Sequence, residues 1–117
     1  MSERPHKKLK IWTKIIAFIE DIYSITTRYP QEEIYGLTSQ MRRSAVSVAS
    51  NIAEGFARRN SNEKIQFCYI SRSSLSEIDA QLEISLRLKF IDNKEHENLQ
   101  EKLDEISRML NGLINSI

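Results

Sequence analysis

A chain of 117 residues with 40% apolar content fills one hydrophobic core, so a single domain spanning residues 1–117 is expected. One cysteine, Cys68, cannot form an internal disulfide, and with only His6 and His96 beside it no metal-ligand spacing arises, so no cofactor is expected. The longest strongly apolar run, Ile15 to Ile19, is too short for a bilayer, and no signal-type segment follows the N-terminal Met-Ser-Glu-Arg-Pro-His-Lys-Lys; a cytoplasmic protein away from membranes is the expectation.

Helix one is predicted over residues 8–28. Leu9, Trp12, Ile16, Ile19 and Tyr23 alternate steps of three and four, the spacing of one helical face, until Thr26, Thr27 and Tyr29-Pro30 interrupt it. The residue before a proline is pushed out of the helical region, which ends the segment. A loop containing Pro30 and Gly36 follows, with room for a short turn of helix around Glu32 to Ile34.

Helix two, predicted over 38–58, takes Thr38 or Ser39 as its cap. Met41, Ala45, Val48, Ile52 and Phe56 form one apolar face, and Val46, Ala49, Ala53 and Ala57 form a stripe of small residues beside it. A face that wide suits a helix inside its bundle or one shared with another chain, which makes Val46, Ala49, Ala53 and Ala57 the candidates for a subunit interface. The remaining arc carries Arg43, Ser47, Ser50, Asn51, Glu54 and Arg58.

Helix three (61–89) and helix four (93–115) announce their starts with Asn60/Glu63 and Asp92/Glu95, a short polar acceptor three residues before a carboxylate. Cys68, Ser71, Leu75, Ile78, Leu82 and Ser85 line one, and Leu99, Leu103, Ile106, Leu110, Leu113 and Ile117 the other. A seven-residue period in three segments packs helices about 20° from (anti)parallel. With short loops and no strand pattern, the expected fold is all-α, an antiparallel up-down four-helix bundle.

No reacting centre is assembled. His6 belongs to a tail, His96 sits among Glu95 and Glu97, and Cys68 lies on a core stripe, where it reads as a small hydrophobe. Glycines at 36, 55 and 112 are too scattered to cradle a phosphate. Glu54 beside Asn51 reads as part of a structural network with Arg43, inside the bundle or at a subunit contact, rather than as a general base. Gly55 in mid-helix points to close approach of another backbone or to tolerance without purpose.

Charge is laid out unevenly. Residues 1–64 hold eleven Lys or Arg against seven acids, and residues 65–117 hold six against nine. Lys7, Lys8, Lys10 and Lys14 gather at the start of helix one, Arg42 and Arg43 in helix two, and Arg58, Arg59 and Lys64 around the loop after it. Lysines in a first helical turn oppose the helix dipole by roughly 0.3 to 1 kcal/mol each, so helix stability does not account for them. Lys7, Lys8, Lys10, Arg58, Arg59 and Lys64 are the candidate phosphate contacts; a solvated surface is the alternative. Trp12, Tyr23, Phe56 and Phe67 all fall at core spacing, which argues against platforms for base stacking.

Leu9-Lys-Ile-Trp12, Tyr35-Gly-Leu-Thr-Ser-Gln-Met-Arg-Arg43, Asn51-Ile-Ala-Glu-Gly55, Ser74-Leu-Ser-Glu77 and Gln81-Leu-Glu83 together closely resemble the four helix bundle protein family. It is also called the 23S rRNA intervening-sequence proteins, because some members are encoded within insertions in bacterial large-subunit ribosomal RNA genes. The resemblance runs from about Lys8 to Leu113. It implies an antiparallel bundle assembled as a homopentameric ring, with no established catalytic activity. A similar fold and assembly occur in the accessory variability proteins of diversity-generating retroelements, which bind nucleic acid and a reverse transcriptase; RNA, DNA and such a protein are therefore the implied partners. Lys8, Thr13 and Ala49 depart from the family pattern, Ala49 standing where many members have a proline that would kink helix two. The combined expectation is a non-enzymatic oligomer that meets RNA or DNA through a basic surface, with a protein scaffold as the alternative.

Overall fold

The computed structural model describes residues 3–117. Four α-helices follow one another: α1 (Lys10–Thr26), α2 (Leu37–Phe56), α3 (Ser61–Arg87) and α4 (Asn93–Ser116). Short 3-10 turns at Pro5–Lys8 and Gln31–Glu33 precede α1 and α2, and no strand occurs among the described residues. Each helix packs against two neighbours in the cyclic order α1, α2, α3, α4, giving a bundle 43 Å long and 24 by 23 Å across.

The cross-helix bonds show every neighbouring pair to be antiparallel. Ser71 Oγ donates to Val48 O at 2.9 Å and, fourteen residues on, Ser85 Oγ meets Met41 Sδ at 3.5 Å, so α3 runs down as α2 runs up. Between α3 and α4, Arg72 reaches Asn111 and Gln100 Nε2 donates to Asp79 at 2.8 Å. Lys14 pairs with Glu105 at 2.8 Å, Asp21 with Lys102 at 2.7 Å, and Arg28 with Glu95, closing α1 onto α4.

The predicted stripes of α3 and α4 are the core stripes, and in α2 Met41, Ala45, Val48 and Ile52 are buried. In α1 the buried face is instead Ile11, Ile15, Phe18, Ile22 and Ile25. Of the predicted set, Leu9, Trp12 and Ile19 are half-buried, while Ile16 and Tyr23 are 38% and 41% exposed. Both faces of α1 are apolar, so its period marks a helix without fixing which face turns inward. Ala49 leaves α2 free of proline, and the helix runs unbroken.

The helix ends differ in how they are satisfied. Asp92 and Glu95 form the full capping box: Glu95 N–H donates to Asp92 Oδ1 at 2.8 Å, and Asp92 N–H to Glu95 Oε1 at 3.0 Å. Asn60 Oδ1 accepts from the amides of Asn62 and Glu63, a cap without the reciprocal bond from Glu63. α2 starts before Thr38, which is buried; Gly36 is the N-cap, and the Glu33 carboxylate accepts from Leu37 N–H at 3.1 Å in place of a cap side chain. α3 ends in a Schellman turn, with Phe90 N–H on Ser85 O and Lys89 at φ 63°, a left-handed position more often given to glycine.

Gly55 has a specific packing role. A Cβ there would stand 2.9 Å from the Cβ of Phe67 and 3.3 Å from the Lys64 carbonyl, so its absence lets the end of α2 lie directly on the start of α3.

Candidate nucleic-acid interface

Up-down connectivity places the start of α1, the end of α2, the start of α3 and the end of α4 together. The turn Pro5–Lys8 packs against α2, and Pro5 and His6 lie across a depression from Ala53 and Ala57. Lys7, Lys8 and Lys10 therefore share one end of the bundle with Arg58, Arg59 and Lys64. Over residues 3–10 and 54–64 there are seven Lys or Arg and three acids, and the last stretch of α4, 109–117, is uncharged. The opposite end, 27–36 and 87–97, carries four Lys or Arg against five acids.

The cations at the basic end are held differently. Lys7, Lys8 and Lys10 are exposed, but only Lys10 lies in α1; Lys7 and Lys8 belong to the preceding 3-10 turn. Their opposition to the dipole is thus weaker than a helix start at residue 8 implies. That helix end has no acid in its first turn and no side-chain cap, so nothing neutralises the positive end of its dipole. Arg58 bonds Glu54 at 3.2 Å and lies 5.1 Å above the Phe67 ring, and Lys64 lies 5.5 Å above Phe56. Arg59 is exposed. Lys14 is occupied by Glu105, whose carboxyl is held below the usual glutamate range, chiefly by the hydrogen bond from Lys14 and then by its charge.

Of the helix-two pair, Arg42 does structural work. Arg42 Nε donates to Thr26 Oγ1 at 2.9 Å and Nη2 to Tyr23 O at 3.2 Å, with its guanidinium above the Tyr23 ring, so it satisfies the open carbonyl end of α1. Arg43, Asn51 and Glu54 do not bond one another within the chain: Arg43 donates to Ser39, Asn51 to Ser47, and Glu54 accepts from Arg58, each one turn away. A network inside the bundle is thereby corrected to three local bonds along α2, because side chains four residues apart on one helix reach each other more easily than they reach a neighbour. The small-residue stripe is divided too. Ala49 is buried in the chain's own core, Ala53 is half-buried, and Ala57 and Val46 are exposed.

Sequence reasoning missed a polar groove between α2 and α3, with a volume of about 330 Å³, lined by Gln40, Arg43, Ser44, Ser47, Glu77 and Gln81. Gln81 is only 7% exposed; its Nε2 donates to Ser44 Oγ at 3.3 Å, while its Oε1 is buried without a partner. The available signal was Gln81 itself, a polar residue in register with the core stripe of α3. Cys68 is fully buried, and burial pushes its thiol pKa up, which leaves it unreactive. Among the described residues no group of three His, Cys, Asp or Glu side chains could hold a metal ion, and no helix is long and apolar enough to cross a membrane.

The fold is similar to that of a crystallised protein of unknown function from the S23 ribosomal protein family of Bacteroides thetaiotaomicron, with a TM-score of 0.83, 22% identity, and coverage of 90% of this chain and 95% of that one. At that identity the likeness speaks for the fold alone. No curated protein matches the sequence. The 23S rRNA-intervening sequence protein family matches residues 7–112, from the basic turn through nearly all of α4, and the chain belongs to that family.

Proposed function

We propose that this protein is a non-enzymatic, self-associating interaction protein that presents its basic end to the phosphate backbone of RNA or DNA. The carrying observation is the convergence on one end of two cationic groups that are far apart in sequence, beside an uncapped helix N-terminus. Phosphate contacts of this kind set affinity without reading sequence. A homopentameric ring would repeat the basic end about its axis, so that weak contacts add through effective concentration. Self-association is supported by exposed Val46, Ile70 and Ile84, which a solitary bundle leaves in water.

The test is binding to mixed RNA and DNA pools across a salt series. Log affinity should fall linearly with log salt, and reversal of Lys7, Lys8 and Lys10 to Glu should abolish binding while the oligomer stays intact. If no pool binds at low salt, the nucleic-acid reading is lost. A second reading, a scaffold for a protein such as a reverse transcriptase, is favoured by the opposite end, where Ile34 and Tyr35 are 50% and 96% exposed. Capture of such a partner by a protein with Tyr35→Ser should then fail.

A further inference from the structure

We infer that the basic end takes an unpaired nucleotide, its base entering the depression between the N-terminal turn and the end of α2. This rests on the basic-end reading and narrows it to single-stranded RNA or DNA. The depression has a volume of about 590 Å³ and is bordered by Arg4, His6, Ser50, Ala53, Glu54 and Phe56. That size falls within the range of small-ligand clefts, about 300 to 1,000 Å³.

Its walls suit a base. Phe56 is half-buried and offers part of a ring, with the Lys64 ammonium above it; His6 is half-buried and braced edge-on against Trp12, ring centroids 4.5 Å apart. Unstacked bases are held in this way, between rings and beside cations. Ala53 and Ala57 line its α2 side, where nothing bulky projects. Among its lining groups, Arg4 can donate, Ser50 can donate or accept, and the Glu54 carboxylate can accept, the mix of donors and acceptors that an exposed base edge presents. Arg58, bonded to Glu54 at 3.2 Å, ties this rim to the phosphate-binding group.

A base-paired strand cannot use the depression, because its bases are stacked inside the duplex and only its phosphates reach the lysines. A single strand uses both. Core spacing of Phe56 in the sequence argues against such a platform; the structure leaves the ring half-buried at the edge of the core.

The test compares a mixed-sequence single-stranded RNA 20-mer, its DNA counterpart and the matching duplexes by fluorescence anisotropy at fixed low salt. The expected result is tighter binding of the single strands by about tenfold, the contribution of one stacked base. Ala53→Met, which fills the depression on a helix position that tolerates methionine, should remove that preference while duplex binding is unchanged. His6→Ala, in the N-terminal turn and outside the core, should reduce it without affecting folding. Equal affinity for single strands and duplexes, or parallel loss of both in Ala53→Met, overturns the depression as a base site and leaves the basic end standing. Absence of binding to every probe overturns both.

Discussion

The α2/α3 seam and the α1/α4 seam join antiparallel helices of one bundle by opposite means. Between α2 and α3 the contact is close and lined with small polar groups: Ser71 donates to Val48 O, Ser74 to Ser47, Gln81 to Ser44, and Gly55 takes the start of α3 onto its bare Cα. Between α1 and α4 the helices lie less close and the edge is laced by exposed ion pairs, Lys14–Glu105, Asp21–Lys102 and Arg28–Glu95. The first seam is specified by shape, the second by charge order. Lys14 and Asp21 of α1 and Arg28 just beyond it alternate in sign at seven-residue intervals, and sliding α4 by one heptad would take Lys14 off Glu105 and bring Asp21 towards Glu95. Exposed pairs contribute only about 0.2 to 1 kcal/mol each, so they select register more than they hold the helices together.

The largest expected effect comes from breaking the shape of the close seam. Ser71 is fully buried between α2 and α3, and Ser71→Leu must force the helices apart and remove the bond to Val48 O. A loss of about 1 to 3 kcal/mol or more is expected, a large share of the roughly 5 to 15 kcal/mol that holds a domain together. Ser73→Leu, exposed two residues on, is the control and should change the urea midpoint little. Equal effects at the two positions would mean that α2 and α3 can part without cost.

The glycines sharpen the same contrast through the sign of the change. Alanine raises helix propensity by up to about 1 kcal/mol, less near a helix C-terminus, where Gly55 of α2 and Gly112 of α4 both lie. At Gly112 a Cβ meets nothing within 4 Å, so Gly112→Ala should raise the melting temperature. At Gly55 it meets Phe67 and the Lys64 backbone, neither the flexible far end of a side chain, and overpacking of about 1 to 3 kcal/mol outweighs the gain. Gly55→Ala should therefore melt lower than the wild type. A stabilised Gly55→Ala protein would remove the packing reason for this glycine.

The charge-laced seam should yield less. Asp21→Asn leaves Lys102 exposed to water and is expected to cost no more than about 1 kcal/mol. Exchanging the pair as Asp21→Lys with Lys102→Asp keeps the bond but puts like charges beside Lys14 and Glu105 along each helix. If the charge order sets register, the exchanged protein should be less stable than the wild type by more than the single change, as read from denaturant midpoints.

Much of this was visible in the chain itself, and the failures have physical causes. The stripe of α4 could be read because its outer face is polar, and that of α3 kept its phase although Tyr69, Ile70 and Ile84 are exposed outside it. In α1 the residues Ile16, Ile19 and Tyr23 repeat as regularly as Ile15, Phe18 and Ile22, and only the neighbouring helices decide which set is buried. Thr38 and Ser39 have the chemistry of a cap, but the helix starts earlier, where a carboxylate four residues upstream of Leu37 does the same work. The six candidate cations were identifiable by type, and their meeting at one end follows from up-down topology. The depression beside them was not legible, because it depends on how the turn Pro5–Lys8 folds back along α2. In the sequence Gln81 stands only within a family motif; that its oxygen lacks a partner is a fact of packing.

The smallest expected effect separates the seams at opposite ends of the pH scale. At the far end of the close seam, Tyr29 OH donates to Ser85 Oγ at 2.7 Å, and burial raises the phenol's pKa against the opposing pull of the Ser85 hydrogen bond and the Arg28 charge. A raised folded value favours the fold below the ordinary tyrosine pKa, about 10, and that contribution is lost as pH rises through the folded value. On the charged seam, Glu105 is depressed by Lys14, so its contribution is present above the ordinary glutamate pKa, about 4.3, and is lost as pH falls through its folded value. Melting curves from pH 3 to 11 should thus decline at both limbs. Tyr29→Phe should flatten the alkaline limb alone, and Glu105→Gln should soften only the acid limb, weakly, because that pair is open to solvent. If Tyr29→Phe left the alkaline decline unchanged, the buried phenol would not be its source, and the close seam would be as indifferent to charge as its serines suggest.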